Sequence, residues 1–189
     1  MVVLSKTKSI AGIVLAGGNS RRFGEDKALY KEAGETSTWV EQTAAKMMPL
    51  VDHVFVVTNA RLFPNIQTLF ANTNIEIITD QAPYLDKGPL GGIYAAMKSG
   101  ATYDRYLLSP TDTPHITTEI FADLIAQGNT YATTKNAKHY LTACIPYCKT
   151  ELETMLRADN LRIRELLRTL DVKEQFFDTE APFENKNSK

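Results

Sequence analysis

The chain predicts an α/β fold on a mainly parallel sheet, with an antiparallel element inserted in its last third. Three observations carry this. From Ile10 to Ala126 short apolar runs alternate with stretches of helical length, and that rhythm means parallel strands joined by right-handed crossovers. Beyond Tyr131 the rhythm breaks: two strand-like runs follow each other, then two helical ones. The length and balance, 189 residues with 43% hydrophobic and 23% charged, fit one domain with a full core.

Taken in order, Ile10–Ala16 is too short for a helix and rich in branched residues, so it reads as a buried strand. Trp39–Met48 predicts a helix closed by Pro49, with Trp39 as packing. Val54–Val57 is a strand ending in Thr58-Asn59, Leu62–Phe70 a helix, and Ile75–Ile78 a strand ending in Thr79-Asp80. Gly88-Pro89 opens a helix to about Lys98, with Pro where the first turn tolerates it. Tyr106–Leu108 is a strand running into S-P-T-D-T-P, and Thr117 caps a helix to Ala126. Tyr131–Thr134 and His139–Tyr147 are strand-like. Thr150–Arg157 and Leu161–Leu170 are helical, and Val172–Phe177 is a last strand before a polar tail. No repeat or linker divides the chain, which predicts a single domain over 1–189.

Charge excludes several functions. Lys and Arg number 21 against 22 Asp and Glu, so nothing points to a nucleic-acid or membrane surface. Arg157, Arg162, Arg164 and Arg168 read as a solvated helix face. No apolar run approaches a membrane span, and the run after Lys6 and Lys8 is too brief for a signal peptide. The expected location is cytoplasmic. Cys144 and Cys148 read as buried free thiols, because zinc would want two further ligands nearby.

In open α/β sheets ligands bind beyond the carboxyl ends of the strands. Gly17, Asn59, Asp80 and Asp112 each follow a predicted strand end, so they are expected to converge. Gly17 and Gly18 free the backbone to turn its N–H groups toward one ligand. Ser20, Arg21, Arg22 and Lys27 add a hydroxyl and three cations, which together suit a polyphosphate. Neither G-x-x-x-x-G-K-[ST] nor G-x-G-x-x-G is present, so P-loop hydrolysis and dinucleotide redox binding are not indicated. Asp112, between Pro110 and Pro114, is the best metal ligand. One carboxylate plus substrate phosphates is enough to hold Mg2+.

The stretch L-A-G-G-x-S-x-R-x-G-x-D-K, from Leu15 to Lys27, resembles the signature loop of the molybdenum cofactor guanylyltransferases. Asp80 to Ile93, D-x-x-x-x-x-x-x-G-P-L-x-G-I, is similar to that family's second motif. The resemblance implies a Rossmann-like three-layer sandwich of the nucleotide-diphospho-sugar-transferase type. It divides the domain into a nucleotide-binding part, about 10–127, and an acceptor-binding part, about 128–189. It further implies GTP bound by Leu15, Ala16, Gly17, Gly18, Lys27, Asn59, Asp80 and Asp112. Asp80 and Asn59 would line the nucleoside pocket, reading either guanine or ribose. Asp112 would carry Mg2+, although the family's Cys or Asp two residues earlier is Pro110 here. H-Y-L-T-A at His139–Ala143 resembles the family's H-P-x-x-A, and F-E-N-K-N-S at Phe183–Ser188 resembles F-x-N-x-N-[TS]. His139, Asn185 and Asn187 would thus meet a molybdopterin-type acceptor. Molybdopterin-loading proteins or molybdoenzymes are the partners implied.

The reaction implied is attack of an acceptor phosphate on the α-phosphorus of GTP, expelling pyrophosphate. The attacking oxygen is already ionised, so no general base is needed, which agrees with the unpersuasive positions of His53 and His115. Lys27, Arg22 and the metal on Asp112 would cancel the repulsion between two polyanions. Two rivals remain: a nucleotidyltransferase using CTP or a sugar or alcohol phosphate, and a GTP-binding cofactor carrier without turnover. Having both Lys27 and Asp112 argues for the enzyme. Cytidylyl relatives usually carry Ala-Gly where this chain has Gly17-Gly18, so the absent methyl is expected to make room for guanine.

Overall fold

The computed structural model describes residues 8–17, 26–80 and 82–186. The predicted alternation is present: β1 (Ile10–Leu15), α1 (Trp39–Met47), β2 (His53–Thr58), α2 (Phe63–Leu69), β3 (Glu76–Thr79), α3 (Gly88–Lys98), β4 (Arg105–Pro110) and α4 (Thr118–Gln127). The last third holds β5 (Thr130–Thr133), β6 (Lys138–Pro146), α5 (Lys149–Arg157), α6 (Ile163–Thr169) and β7 (Lys173–Phe176). Thr117 caps α4 as expected, its hydroxyl accepting from the Ile120 N–H. Helix α1 begins with a reciprocal cap. The Thr38 hydroxyl takes the Glu41 N–H while the Glu41 carboxylate takes the Thr38 N–H, and such a cap contributes about 1 kcal/mol.

The seven strands among the described residues form one sheet in the order β3-β2-β1-β4-β6-β5-β7. Strand β1 pairs in parallel with β2 and β4, and β2 with β3. Strand β6 runs antiparallel to both β4 and β5, and β7 pairs in parallel with β5. The expected antiparallel insertion is therefore a single reversed strand, β6, in an otherwise parallel sheet.

Period-two alternation sorts the strand residues onto two faces. Ile13, Phe55 and Val57 pack with Leu90 and Ile93 of α3, Leu152 of α5 and Leu166 of α6. Val14, Val54 and Val56 face the other way, onto Val40 of α1, Ile66 of α2 and Phe121 of α4. Each fully buried Leu, Ile, Val or Phe stabilises the fold by about 1.5–3 kcal/mol before entropy is counted. Trp39 is buried as packing. Cys144 and Cys148 are buried free thiols, and burial pushes the Cys148 thiol up to about 12. Such thiols stay protonated and inert. Among the described residues no helix is long and apolar enough to cross a membrane.

Candidate active site

The parallel strands β1, β2, β3 and β4 all deliver their carboxyl ends to one edge of the sheet. A cleft of about 810 Å³ opens there, with Leu15, Ala16 and Gly17 from β1, Asn59 from β2, Asp80 from β3 and Asp112 from β4 on its walls. Lys27, on the short 3-10 turn Lys27–Leu29, lies on the same wall. Gly18, Ser20, Arg21, Arg22 and Asn187 lie outside the described residues. All the other residues expected at the nucleotide meet in this cleft although up to 97 positions separate Leu15 from Asp112.

A second cavity, of about 540 Å³, adjoins the first and is lined by His139, Phe183 and Asn185. Pro110, Asp112 and Leu141 border both spaces. Strand polarity explains how: β6 is reversed, so its beginning, not its end, arrives at the active edge. Leu108 pairs with Ala143, a register that sets Leu141 level with Pro110 and His139 beyond it.

Asp112 sits at the seam. Lys27 Nζ stands 3.9 Å from its Oδ2, with the two side chains 14% and 29% exposed. Asn185 Nδ2 donates to the same oxygen at 2.7 Å, and the Lys186 N–H donates to the Asp112 carbonyl at 2.8 Å. The C-terminal tail is thus tied to the loop after β4. Asn185 borders the second cavity, and its amide is spent on the carboxylate. No sequence signal pairs a tail asparagine with an aspartate 73 residues away.

Each remaining residue has its own surroundings. The Asn59 side-chain oxygen accepts from the Leu62 N–H at 3.0 Å, closing the turn into α2. Burial pushes the Asp80 carboxyl above its ordinary range, opposed by a hydrogen bond from the Asp86 backbone N–H. The following loop takes its turn at Asp86 and Gly88, both with positive φ (55° and 60°), where glycine carries no steric penalty. His139 stacks on Phe183, ring centroids 4.6 Å apart, and burial pushes its pKa down against the opposing charge of Glu180. Its Nε2 lies 3.3 Å from the Thr134 hydroxyl.

Gly17 has close backbone neighbours. A Cβ there would come within 3.3 Å of the Thr58 carbonyl carbon and the Asn59 nitrogen, closer than most real contacts. The chain leaving β1 thus lies close against the chain leaving β2, and a methyl here would press on that neighbour as well as stand beside the cleft that Gly17 lines.

Arg61 carries no signal in the sequence motifs. It stands two residues beyond Asn59 and lines the cleft. Its guanidinium forks onto both oxygens of Asp26 at 2.7 and 2.6 Å, and that contact holds the Asp26 carboxyl below the usual carboxylate range.

Residues 12–174 match the model of the MobA-like NTP transferase domain. The chain belongs to that family. A probable molybdenum cofactor guanylyltransferase of Bacillus cereus is 32% identical over 161 residues, covering 85% of this chain and 72% of the relative. One from Bacillus cytotoxicus is 36% identical over 120 residues, covering 64% of this chain and 57% of the relative. The alignment thus spans little more than half of that relative's length. A solved nucleotidyl transferase from Methanothermobacter superposes with a TM-score of 0.73 at 17% identity, covering 95% of this chain and 92% of that one. This likeness shows the fold, and the expected nucleotidyltransferase sandwich is borne out. So is the resemblance read from Leu15–Lys27. The MobA-like family assignment thus rests on sequence, and the likeness of fold rests on the superposition.

Proposed function

We propose that this chain transfers GMP from GTP to the phosphate of a molybdenum-molybdopterin acceptor, forming molybdopterin guanine dinucleotide and releasing pyrophosphate. The observation that carries this reading is Asp112 on the common border of two cavities. A reaction joining a nucleotide to a second phosphate compound needs two adjoining sites with the charge-handling groups between them. Family membership and the relatives' names supply the identities of donor and acceptor.

In this mechanism GTP occupies the larger cleft. Backbone from Leu15 to Gly17 lies along the base, and Asp80 accepts from guanine N–H groups or ribose hydroxyls. Asp80 suits this better than Asn59, whose oxygen already closes a turn. Lys27 neutralises the triphosphate beside Asp112, and Arg22 and Gly18 of the signature stretch belong to the same phosphate-binding role. The acceptor enters the second cavity against His139, with Asn185 and Asn187 on the tail. Its ionised phosphate oxygen attacks the α-phosphorus in line, and pyrophosphate leaves with the charge it gains. No group has to remove a proton. His139, pushed toward its neutral form, is a packing and hydrogen-bonding surface and not an acid.

Enzymes of this kind work with a divalent metal, and Mg2+ is the fit proposed here. Among the described residues no cluster of three His, Cys, Asp or Glu side chains is built to hold an ion alone. A single carboxylate completed by substrate phosphates is a usual magnesium arrangement. Asn185 and Lys27 both address Asp112 Oδ2, and the Asp112 carboxylate is the group that would hold the metal. When bound there, Mg2+ supplies charge neutralisation between the two phosphate compounds.

The test is pyrophosphate release with GTP, ATP or CTP, each with and without acceptor and Mg2+. GTP should be preferred by about 100-fold or more in kcat/KM, about 2.7 kcal/mol. Comparable use of CTP overturns the guanine assignment. Binding of GTP with no pyrophosphate release under any acceptor favours a carrier.

A further inference from the structure

The signature stretch is moored at both of its ends to the same loop. At one end Gly17 lies against Thr58 and Asn59, within 3.3 Å of any Cβ placed on it. At the other end Asp26, the residue before Lys27, is gripped by both terminal nitrogens of Arg61. Thr58 to Arg61 is the exit from β2, and the Asn59 side chain pins the Leu62 N–H there. A short rigid bracket therefore fixes where the stretch begins and where it ends.

The Asp26–Arg61 pair is poorly placed to stabilise the whole fold. The Arg61 side chain is 60% exposed, and exposed ion pairs contribute little to global stability. Its geometry is nonetheless the specific one, a planar fork meeting both carboxylate oxygens, which fixes direction as well as distance. Directly after Asp26 comes the turn Lys27–Leu29, closed by Leu29 N–H to Asp26 O at 2.9 Å and Tyr30 N–H to Lys27 O at 3.1 Å. Holding Asp26 therefore orients the turn that carries Lys27, whose Nζ lies 3.9 Å from Asp112 Oδ2.

We infer that Arg61 is a positioning residue: through Asp26 it sets the Lys27 ammonium at the point where nucleotide phosphates meet Asp112. The inference deepens the proposed function and rests on it for the substrate. It assigns a partner to the acidic residue of the signature, and that partner lies on a different loop outside both motifs. A misplacement of about 1 Å at a charge-handling group is enough to cost up to about a hundredfold in rate. Arg61 is not a ligand of the phosphates in this reading, because its fork is already filled.

The experiment compares wild type with Asp26→Asn, Arg61→Ala, the double variant, and the exchanged pair Asp26→Arg with Arg61→Asp. Three readouts are taken: GTP kcat and KM, thermal midpoint, and native-state amide exchange at Leu29 and Tyr30 without any ligand. Each single change should lower kcat about tenfold and speed exchange at those two amides, with the midpoint moving by less than about 2 °C. The double variant should be no worse than either single one, because both remove the same contact. The exchanged pair should recover part of kcat. Two results overturn the inference: Arg61→Ala weakening GTP binding while Asp26→Asn stays near wild type, which makes Arg61 a phosphate ligand, or additive effects with unchanged exchange. The exchange measurement needs no substrate, so faster exchange with no GTP turnover in wild type rejects the proposed function while leaving the tether standing.

Discussion

The two halves of the crevice are built by opposite means. At the larger cleft, four parallel strands present their carboxyl ends, and Gly17, Asn59, Asp80 and Asp112 follow those ends one by one. At the second cavity a reversed strand presents its beginning, and a tail without regular strand or helix at Asn185 is tied to the loop after β4. The first construction keeps each functional residue in a local pattern that a sequence displays. The second depends on which strand is turned around, and a short sequence motif says nothing about that.

Under the proposed function, changes in the larger cleft are expected to act on chemistry, while those at the second cavity divide by what they touch. The largest effect is expected for Asp112→Asn, which keeps the shape and can still accept from Asn185. Magnesium-dependent kcat/KM should fall about a thousandfold, some 4 kcal/mol, with the thermal midpoint within about 2 °C of wild type. Near-normal turnover across a magnesium titration would remove Asp112 from the metal's coordination.

Lys27→Ala comes next, at about a hundredfold in kcat/KM, the loss of one strong charge-assisted contact of about 3 kcal/mol. Both KM for GTP and kcat should suffer. A change below threefold means the ammonium does not meet the phosphates.

Asn185→Ala and His139→Ala separate the tail from the second cavity. Because Asn185 donates to Asp112, its removal should lower kcat about tenfold with GTP affinity unchanged. His139→Ala, losing the stack on Phe183, should raise acceptor KM and spare kcat. If both variants alter only acceptor KM, the Asn185–Asp112 contact has no part in turnover.

The smallest effect concerns stability. Burial raises the Asp80 pKa in the folded chain above its unfolded value. Its carboxyl therefore favours the fold fully below the unfolded pKa and loses that contribution as pH rises through the folded pKa. Asp80→Asn should accordingly gain about 1–3 °C in thermal midpoint at pH 8, and the gain should vanish below the ordinary carboxylate range. GTP binding should weaken at the same time. Lower stability at pH 8 would mean the carboxylate is held by partners stronger than its desolvation.

Local chemistry leaves clear marks in the sequence at some positions and none at others. Thr117 and the Gly88-Pro89 pair announce helix starts because capping and proline geometry depend on neighbours a few residues away. Strand ends at Asn59, Asp80 and Asp112 are readable because apolar runs stop where polar residues begin. The Asp26–Arg61 fork, 35 residues apart, and the Asn185–Asp112 bond, 73 apart, leave no trace. At Gly17 the backbone neighbours Thr58 and Asn59 are likewise unreadable in the sequence, since they arrive only once β1 and β2 are paired.

The sequence by itself determined the family, the alternation of strands and helices, and the strand-end residues that line the larger cleft, because short-range periodicity and contiguous motifs encode them. Tertiary structure alone decided which strand runs backward, what meets at Asp112, and which loop holds the signature stretch in place. Those outcomes depend on contacts between segments far apart along the chain, and such contacts come into being only when the sheet brings the strand ends together.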